Sequence, residues 1–148
     1  MLCALAAALL LAGCGKQEPD PVPASCVGEP SALLAAIARA PGRVVLQDGT
    51  RLSRCVSTAR SDGDLQSLGI SLGRLADALR ARAATDPAAA LQLGYLAGAV
   101  RTGARRASSG IADQLARRMT QLATLAPDAS AAAVAALARG ARAGESSG

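Results

Sequence analysis

The feature that most constrains the fold is a long stretch, from about residue 62 onward, in which apolar residues recur at helical spacing. In its first helix, steps of three, four, three and four residues separate the leucines Leu65, Leu68, Leu72, Leu75 and Leu79. Such steps keep these side chains on one face of an α-helix, which we expect to pack against a partner helix. About two heptads are too few for an extended coiled coil, so the pattern favours a helical bundle.

A second long helix is predicted to begin at Asp86-Pro87, where Asp86 caps the helix and Pro87 occupies its first turn. One apolar face of this helix is formed by Leu93, Leu96, Val100 and Ala104. The helix therefore has the stripe that a bundle core requires.

The same helix has a second apolar surface, formed by Leu91 and Tyr95 nearly opposite the first. Gly94 and Gly98 lie beside this pair and leave a smooth surface that another backbone could approach. A Gly-x-x-x-Gly spacing also occurs in paired membrane helices, but the nearby Arg101 argues against a membrane span here. We therefore expect the helix to lie at the centre of a bundle, contacted on two sides.

Two weaker helical segments complete the C-terminal half. Apolar residues at helical spacing predict a helix that ends near Pro127: Ile111, Leu115, Met119 and Leu122. Asp128 is expected to cap an Ala-rich segment, residues 129–144, whose shallow apolar face predicts loose packing. Residues 145–148 are predicted to form a disordered tail.

The segment before the first leucine-rich helix predicts a short helix and a β-hairpin. Ser31 is expected to cap a helix over residues 31–40, which ends at the following proline and glycine. Asp48-Gly49 suits a two-residue turn after an apolar β-branched run, so a hairpin is predicted near residues 43–55. Leu52-Ser53 could instead begin a helical turn. The predicted fold is mainly α, a small bundle of about four to five helices with this short hairpin.

The N-terminus carries a targeting pattern. Residues 2–12 are an uncharged apolar run, too short to span a bilayer, which needs roughly 20 apolar residues. The segment that follows, Leu11-Ala12-Gly13-Cys14, resembles the lipobox of bacterial prolipoproteins. The resemblance implies that residues 1–13 are a signal peptide and that Cys14 carries lipid, including palmitate. It implies a location in the cell envelope, anchored to a membrane on its extracytoplasmic side.

The alternative is a buried apolar N-terminal helix of a cytosolic protein, and the absence of Lys or Arg before the run departs from the usual signal pattern. The abrupt change to a polar, proline-rich stretch argues against that alternative. Residues 14–25 are predicted to be a lipidated tether, of which residues 15–25 reach roughly 34 Å in a polyproline-like state.

The lipobox resemblance also decides how the cysteines are interpreted. Cys3 would leave with the leader and Cys14 would carry lipid, so Cys26 and Cys55 would remain to form a disulfide in an oxidising compartment. The chain has no histidine and no Cys-x-x-Cys spacing, which disfavours both a metal site and a redox-active pair. A disulfide-stapled helical domain is predicted over residues 26–144.

The sequence offers little for catalysis. Histidine is absent, the only lysine is Lys16 in the tether, and no nucleotide-binding or nucleophile motif occurs. We therefore expect no enzyme activity and predict no catalytic residue, metal ligand or cofactor; the alternative is an enzyme that uses carboxylates alone.

The net charge of +5 comes almost entirely from arginine. A possible anion-binding patch is formed by Arg101, Arg105, Arg106, Arg117 and Arg118. Its partners would be lipid headgroups, an anionic envelope polymer or an acidic envelope protein; the alternative is that these arginines stabilise helix C-termini and keep the protein soluble. Nucleic acid is disfavoured, because Tyr95 is the only aromatic residue available for stacking.

Two functions follow from these patterns. The first is a lipid-anchored, non-catalytic interaction or structural module of the cell envelope. The alternative is a small-ligand-binding lipoprotein with an apolar interhelical pocket near Tyr95, Gly94 and Gly98.

Overall fold

A computed structural model of the protein describes residues 21–107 and 109–148. This part of the chain forms a short 3₁₀ helix, Ala24–Val27, followed by six α-helices. The α-helices are α1 (Pro30–Ile37), α2 (Leu52–Thr58), α3 (Asp62–Ala83), α4 (Pro87–Ala107), α5 (Gly110–Leu122) and α6 (Ala131–Ser147). None of the described helices is long and apolar enough to cross a membrane. Cys14 and the predicted signal peptide lie outside the described residues.

The mainly helical class is confirmed, but the described residues contain six helices rather than four or five, and the predicted β-hairpin is wrong. Val44 and Leu46 are buried in an extended segment that pairs with no strand. A tight turn does follow, with Gly49 at φ 83°, and the Leu46 amide donates to the Thr50 carbonyl at 2.8 Å.

The chain then enters α2 instead of returning as a strand. Leu52, Cys55 and Val56 are all buried, and their spacing places them on one face of a helix. The helical period therefore prevails over the strand predicted after the turn, as the alternative start at Leu52-Ser53 allowed.

The leucine-rich helix α3 forms as predicted. Ser61 is its N-cap and makes a reciprocal capping box with Asp64: the Asp64 amide donates to the Ser61 hydroxyl and the Ser61 amide donates to the Asp64 carboxylate, both at 3.1 Å. Hydrogen bonds from the Ser61 amide, the Ser61 side chain and the Arg60 amide lower the pKa of Asp64. All five predicted stripe leucines are buried.

Two other caps differ from the predictions. α1 begins at Pro30, after Glu29, so Ser31 lies inside the helix and is not its cap. Ser130, not Asp128, caps α6, because its hydroxyl accepts from the Ala133 amide at 3.2 Å. Asp86 does act at the start of α4, where its carboxylate accepts from the Ala88 amide at 2.9 Å.

Helix α4 is the centre of the bundle, as its two apolar faces predicted. It packs against α3 and α5, against α6, and against α2. Its predicted apolar face is fully buried, and so are Tyr95, Gly94 and Gly98 on the other side.

The closest packing lies between α4 and α6, where glycines of both helices remove the side chains from the interface. A Cβ atom at Gly94 would collide with the main chain at Leu137, and one at Gly98 with the main chain at Ala141. In the same way, Gly140 lies against the Leu91 carbonyl and Gly144 against the Tyr95 carbonyl. Residue numbers increase together along this contact, so the two helices run parallel.

The end of α6 is held in place, contrary to the prediction of loose packing and a disordered tail. The helix continues to Ser147, and Gly148 is buried. The buried Ser53 hydroxyl donates to the Gly148 main-chain oxygen, and the Thr102 hydroxyl donates to the Glu145 carbonyl at 3.2 Å. The last carbonyls of a helix have no hydrogen-bond donor within the helix. At the end of α6, side chains of α2 and α4 supply these donors.

The predicted disulfide is present. Cys26 in the 3₁₀ helix is bonded to Cys55 in α2, with 5.6 Å between their Cα atoms, and both residues are fully buried. The bond joins the start of the described chain to the helix that packs on the end of α4.

We predict that Gly140→Ala destabilises the protein strongly. The added methyl would meet the Leu91 carbonyl, and backbone on both sides has little freedom to yield. We expect a loss of about 3 kcal/mol in the free energy of unfolding, measured by urea titration of the helical circular dichroism signal.

Gly73→Ala is the matched control. Gly73 is also a buried helical glycine, but no atom of another part of the protein lies within 4 Å of the place that its Cβ would take. Alanine should therefore stabilise α3 by about 0.5–1 kcal/mol. Equal stability of the two variants would contradict the proposed backbone contact.

We predict that removing the disulfide by Cys26→Ser with Cys55→Ser lowers stability by roughly 3.6 kcal/mol, the chain-entropy value for closing a loop of 29 residues. Thermal unfolding with and without a reducing agent measures the effect. The reductant should lower the midpoint of the unaltered protein and leave that of the double variant unchanged. A reductant effect of equal size in both would show that the bond contributes nothing.

Candidate functional site

The five arginines of the predicted patch do not form one surface. Arg101, Arg105 and Arg117 line a groove of about 440 Å³ between α4 and α5, which we call the α4–α5 groove. Arg106 lines a different groove, and Arg118 lies at a third hollow beside Asp62. The predicted patch is therefore divided among three places on the surface.

Within the α4–α5 groove, one of the three arginines is already paired with a carboxylate. Arg101 is the one arginine of the described residues that forms a salt bridge, with 2.8 Å between its Nη2 and Glu145 Oε1. Arg105 donates to the Thr102 hydroxyl at 3.0 Å, and the carboxylate of Asp113 lines the same groove as Arg117. The groove is less suited to an anion than the sequence predicted.

Arg101 has a structural role instead. Its Nε also donates to Glu145 Oε1, at 3.0 Å, so a forked contact ties α6 to α4. Because the arginine side chain is 29% exposed and the glutamate side chain 40% exposed, we expect this pair to contribute modestly to stability.

The more basic site lies around α2. A groove of about 780 Å³, which we call the α2 groove, is lined by four exposed arginines: Arg51, Arg54, Arg60 and Arg106. Ser53, Ser57 and Thr58 place hydroxyl-bearing residues along it. Of the four guanidinium groups, only that of Arg106 has a protein acceptor among the described residues, the Ser53 hydroxyl at 3.3 Å.

One carboxylate lies in the same groove. Asp48 accepts a hydrogen bond from the Ser25 hydroxyl at 2.7 Å and one from the Thr50 amide at 2.9 Å. The hydrogen bond from Ser25, followed by the one from Thr50, lowers the pKa of Asp48, so its side chain stays charged at neutral pH. Four arginines against one carboxylate leave the groove with a clear positive excess.

Sequence reasoning missed three arginines of this groove, Arg51, Arg54 and Arg60, for a physical reason. Arg51 and Arg54 are three residues apart, the spacing of neighbours on a helix, but the segment was predicted to be a strand. Arg106 is distant in sequence and reaches the groove only because the end of α4 packs against α2. The spacing signal was present, but the tertiary contact could not be inferred from it.

The apolar pocket predicted at Tyr95 is filled. Tyr95 is fully buried, and α6 covers the surface of Gly94 and Gly98. A separate groove of about 550 Å³ lies beside it, lined mainly by small and apolar residues that include Gly94, Leu125, Val134 and Leu137.

No group of three or more potential metal ligands from His, Cys, Asp and Glu occurs in residues 21–107 and 109–148. The arginines of the two grooves can hold anions by charge and by hydrogen bonding.

Comparison of the chain with protein-family models, with curated proteins and with solved structures finds no match.

Proposed function

We propose that the protein is a lipid-anchored module of the cell envelope that acts by binding and not by catalysis. The observation that carries the proposal is its surface charge: 16 basic residues stand against 11 acidic ones, and in the described residues only one salt bridge forms. Most of the arginines therefore remain available to an anionic partner.

The lipobox-like segment Leu11-Ala12-Gly13-Cys14 supports the anchor. A single structural disulfide between Cys26 and Cys55 is consistent with export to an oxidising compartment, because such bonds are rare in the cytosol. An anionic membrane, envelope polymer or acidic protein surface would be the partner of an anchored basic domain.

The anchor is tested on the N-terminal peptide. The expected result is a tryptic fragment, Cys14-Gly15-Lys16, whose mass is raised by diacylglycerol, recovered from the detergent-extracted membrane fraction. The Cys14→Ala variant should leave this fraction, and Cys3→Ala should remain in it as the matched control. An unmodified peptide that continues back to Met1 would contradict the anchor and export together.

A second candidate is binding of a small apolar ligand, and the groove beside Gly94, Leu125 and Leu137 favours it. Native mass spectrometry of the purified protein distinguishes the two functions. A ligand that co-purifies, and that is lost when Leu137→Gln makes the groove polar, would support the carrier function. A single ligand-free mass would support the interaction module.

A further inference from the structure

The α2 groove lies next to the point where the chain leaves the described fold toward Cys14. Pro23, just before the 3₁₀ helix, lines the groove together with Arg51, Arg54 and Arg106. The nine residue steps from Cys14 to Pro23 span no more than about 32 Å even when fully extended. A lipid on Cys14 would therefore keep this groove close to the bilayer. Surfaces far from Pro23 would be held less closely.

We propose that the α2 groove is a second membrane contact, which docks on the phosphate groups of anionic phospholipid headgroups. The inference rests on the proposed lipid anchor for its geometry. Its ligand is the headgroup surface itself, so the domain would lie against the membrane with α2 facing the lipid.

The charges of the groove suit this ligand. Arg51, Arg54 and Arg60 are exposed, and their guanidinium groups donate to no acceptor within the described part of the chain. A planar guanidinium matches the geometry of a phosphate oxygen pair, and four such groups spread along one groove match an array of headgroups. The attraction of basic side chains to an anionic leaflet acts over about one Debye length, roughly 8 Å. Because the tether is attached at Pro23, the groove can approach the bilayer surface to within this distance.

Other basic surfaces of the protein fit less well. In the α4–α5 groove Arg101 is paired with Glu145, and Asp113 lies beside Arg117. Arg80 and Arg82 lie in the last turn of α3. Since α3 and α4 are joined by a short connection and pack on each other, this turn is at the opposite end from Arg106.

The test uses the chain from residue 14 to 148, which contains every described element, with Cys14→Ser so that no lipid is attached. Its binding to vesicles of equal parts phosphatidylglycerol and phosphatidylcholine is measured by sedimentation, and pure phosphatidylcholine vesicles serve as the neutral surface. We expect binding to the anionic vesicles only, and we expect it to weaken as salt is raised.

A quadruple variant removes the charge of the groove: Arg51→Gln, Arg54→Gln, Arg60→Gln and Arg106→Gln. At about fivefold per arginine, the loss of four arginines should lower the vesicle affinity about 600-fold. The control variant loses the same total charge elsewhere: Arg74→Gln, Arg80→Gln, Arg82→Gln and Arg139→Gln. It should lose less than about threefold. Equal losses in the two variants, or no loss in the first, would overturn the proposal.

Asp48→Asn gives a test that does not depend on the folding of the quadruple variant. Asparagine removes the negative charge but keeps one oxygen that can accept from the Thr50 amide, and its amide nitrogen can donate to the Ser25 hydroxyl in place of the second oxygen. Binding to the anionic vesicles should rise about fivefold. Unchanged or weaker binding by a folded Asp48→Asn protein would count against the groove.

Competition with inorganic phosphate and with soluble glycerophosphoglycerol, each compared with sodium chloride at the same ionic strength, separates a membrane surface from a free phosphate ligand. Vesicle binding that persists when either is present in excess supports the headgroup array. Complete displacement by either would show a site for a single soluble anion and overturn the membrane contact.

The N-terminal peptide mass keeps this inference separate from the proposed function. If Cys14 carries lipid but vesicle binding does not depend on the groove arginines, the membrane contact is contradicted and the proposed function is not. Vesicle binding through the groove with no lipid on Cys14 would contradict the anchor and leave the groove as a membrane contact.

Discussion

The parallel contact between the main chains of α4 and α6 is the interaction on which the rest of the structure depends. At two glycines of α4 and two of α6 no side chain separates the helices, so each backbone lies directly against the other at these four positions. At this short distance, contacts between backbone atoms replace contacts between side chains. Only small residues permit so close an approach. Because the chain must reverse direction through α5 to make the two helices parallel, this contact also fixes the path of the intervening segment.

The same contact sets the position of α2. It brings the end of α6 to the place where Ser53 and Thr102 donate to its main-chain oxygens. Ser53 is itself on α2, and its hydroxyl also accepts from Arg106. The disulfide from Cys26 to Cys55 holds the other side of this short helix. A seven-residue helix has little stability of its own, so these tertiary ties are what keep its arginines in one arrangement.

The arginines show how sequence proximity and spatial proximity differ. Arg105 and Arg106 are neighbours in the chain, but successive helical residues point about 100° apart, and the two side chains line different grooves. Arg101 has a run of arginines after it, yet its partner is Glu145 in a segment that was predicted to be a disordered tail. The cluster that does form joins Arg106 to Arg51 and Arg54, which lie far away in sequence. Counting basic residues along the chain grouped five arginines that the fold divides among three places.

Local patterns in the sequence predicted the helical class, the stripe of α3 and the two-sided burial of α4, because helical periodicity can be recognised without a partner. The pairing of Cys26 with Cys55 followed from the lipobox resemblance. The conformation of residues 43–58, the firm packing of α6 and the composition of the basic groove became known only from the fold. The physical reason is common to all three, because each depends on a partner that is distant in sequence. The turn at Asp48-Gly49 forms, but α2 replaces the strand predicted after it because Leu52 and Cys55 bury one helical face against the rest of the bundle. The apolar face of α6 looked weak because Gly140 and Gly144 have no side chains, and the contact is made by backbone atoms of α4.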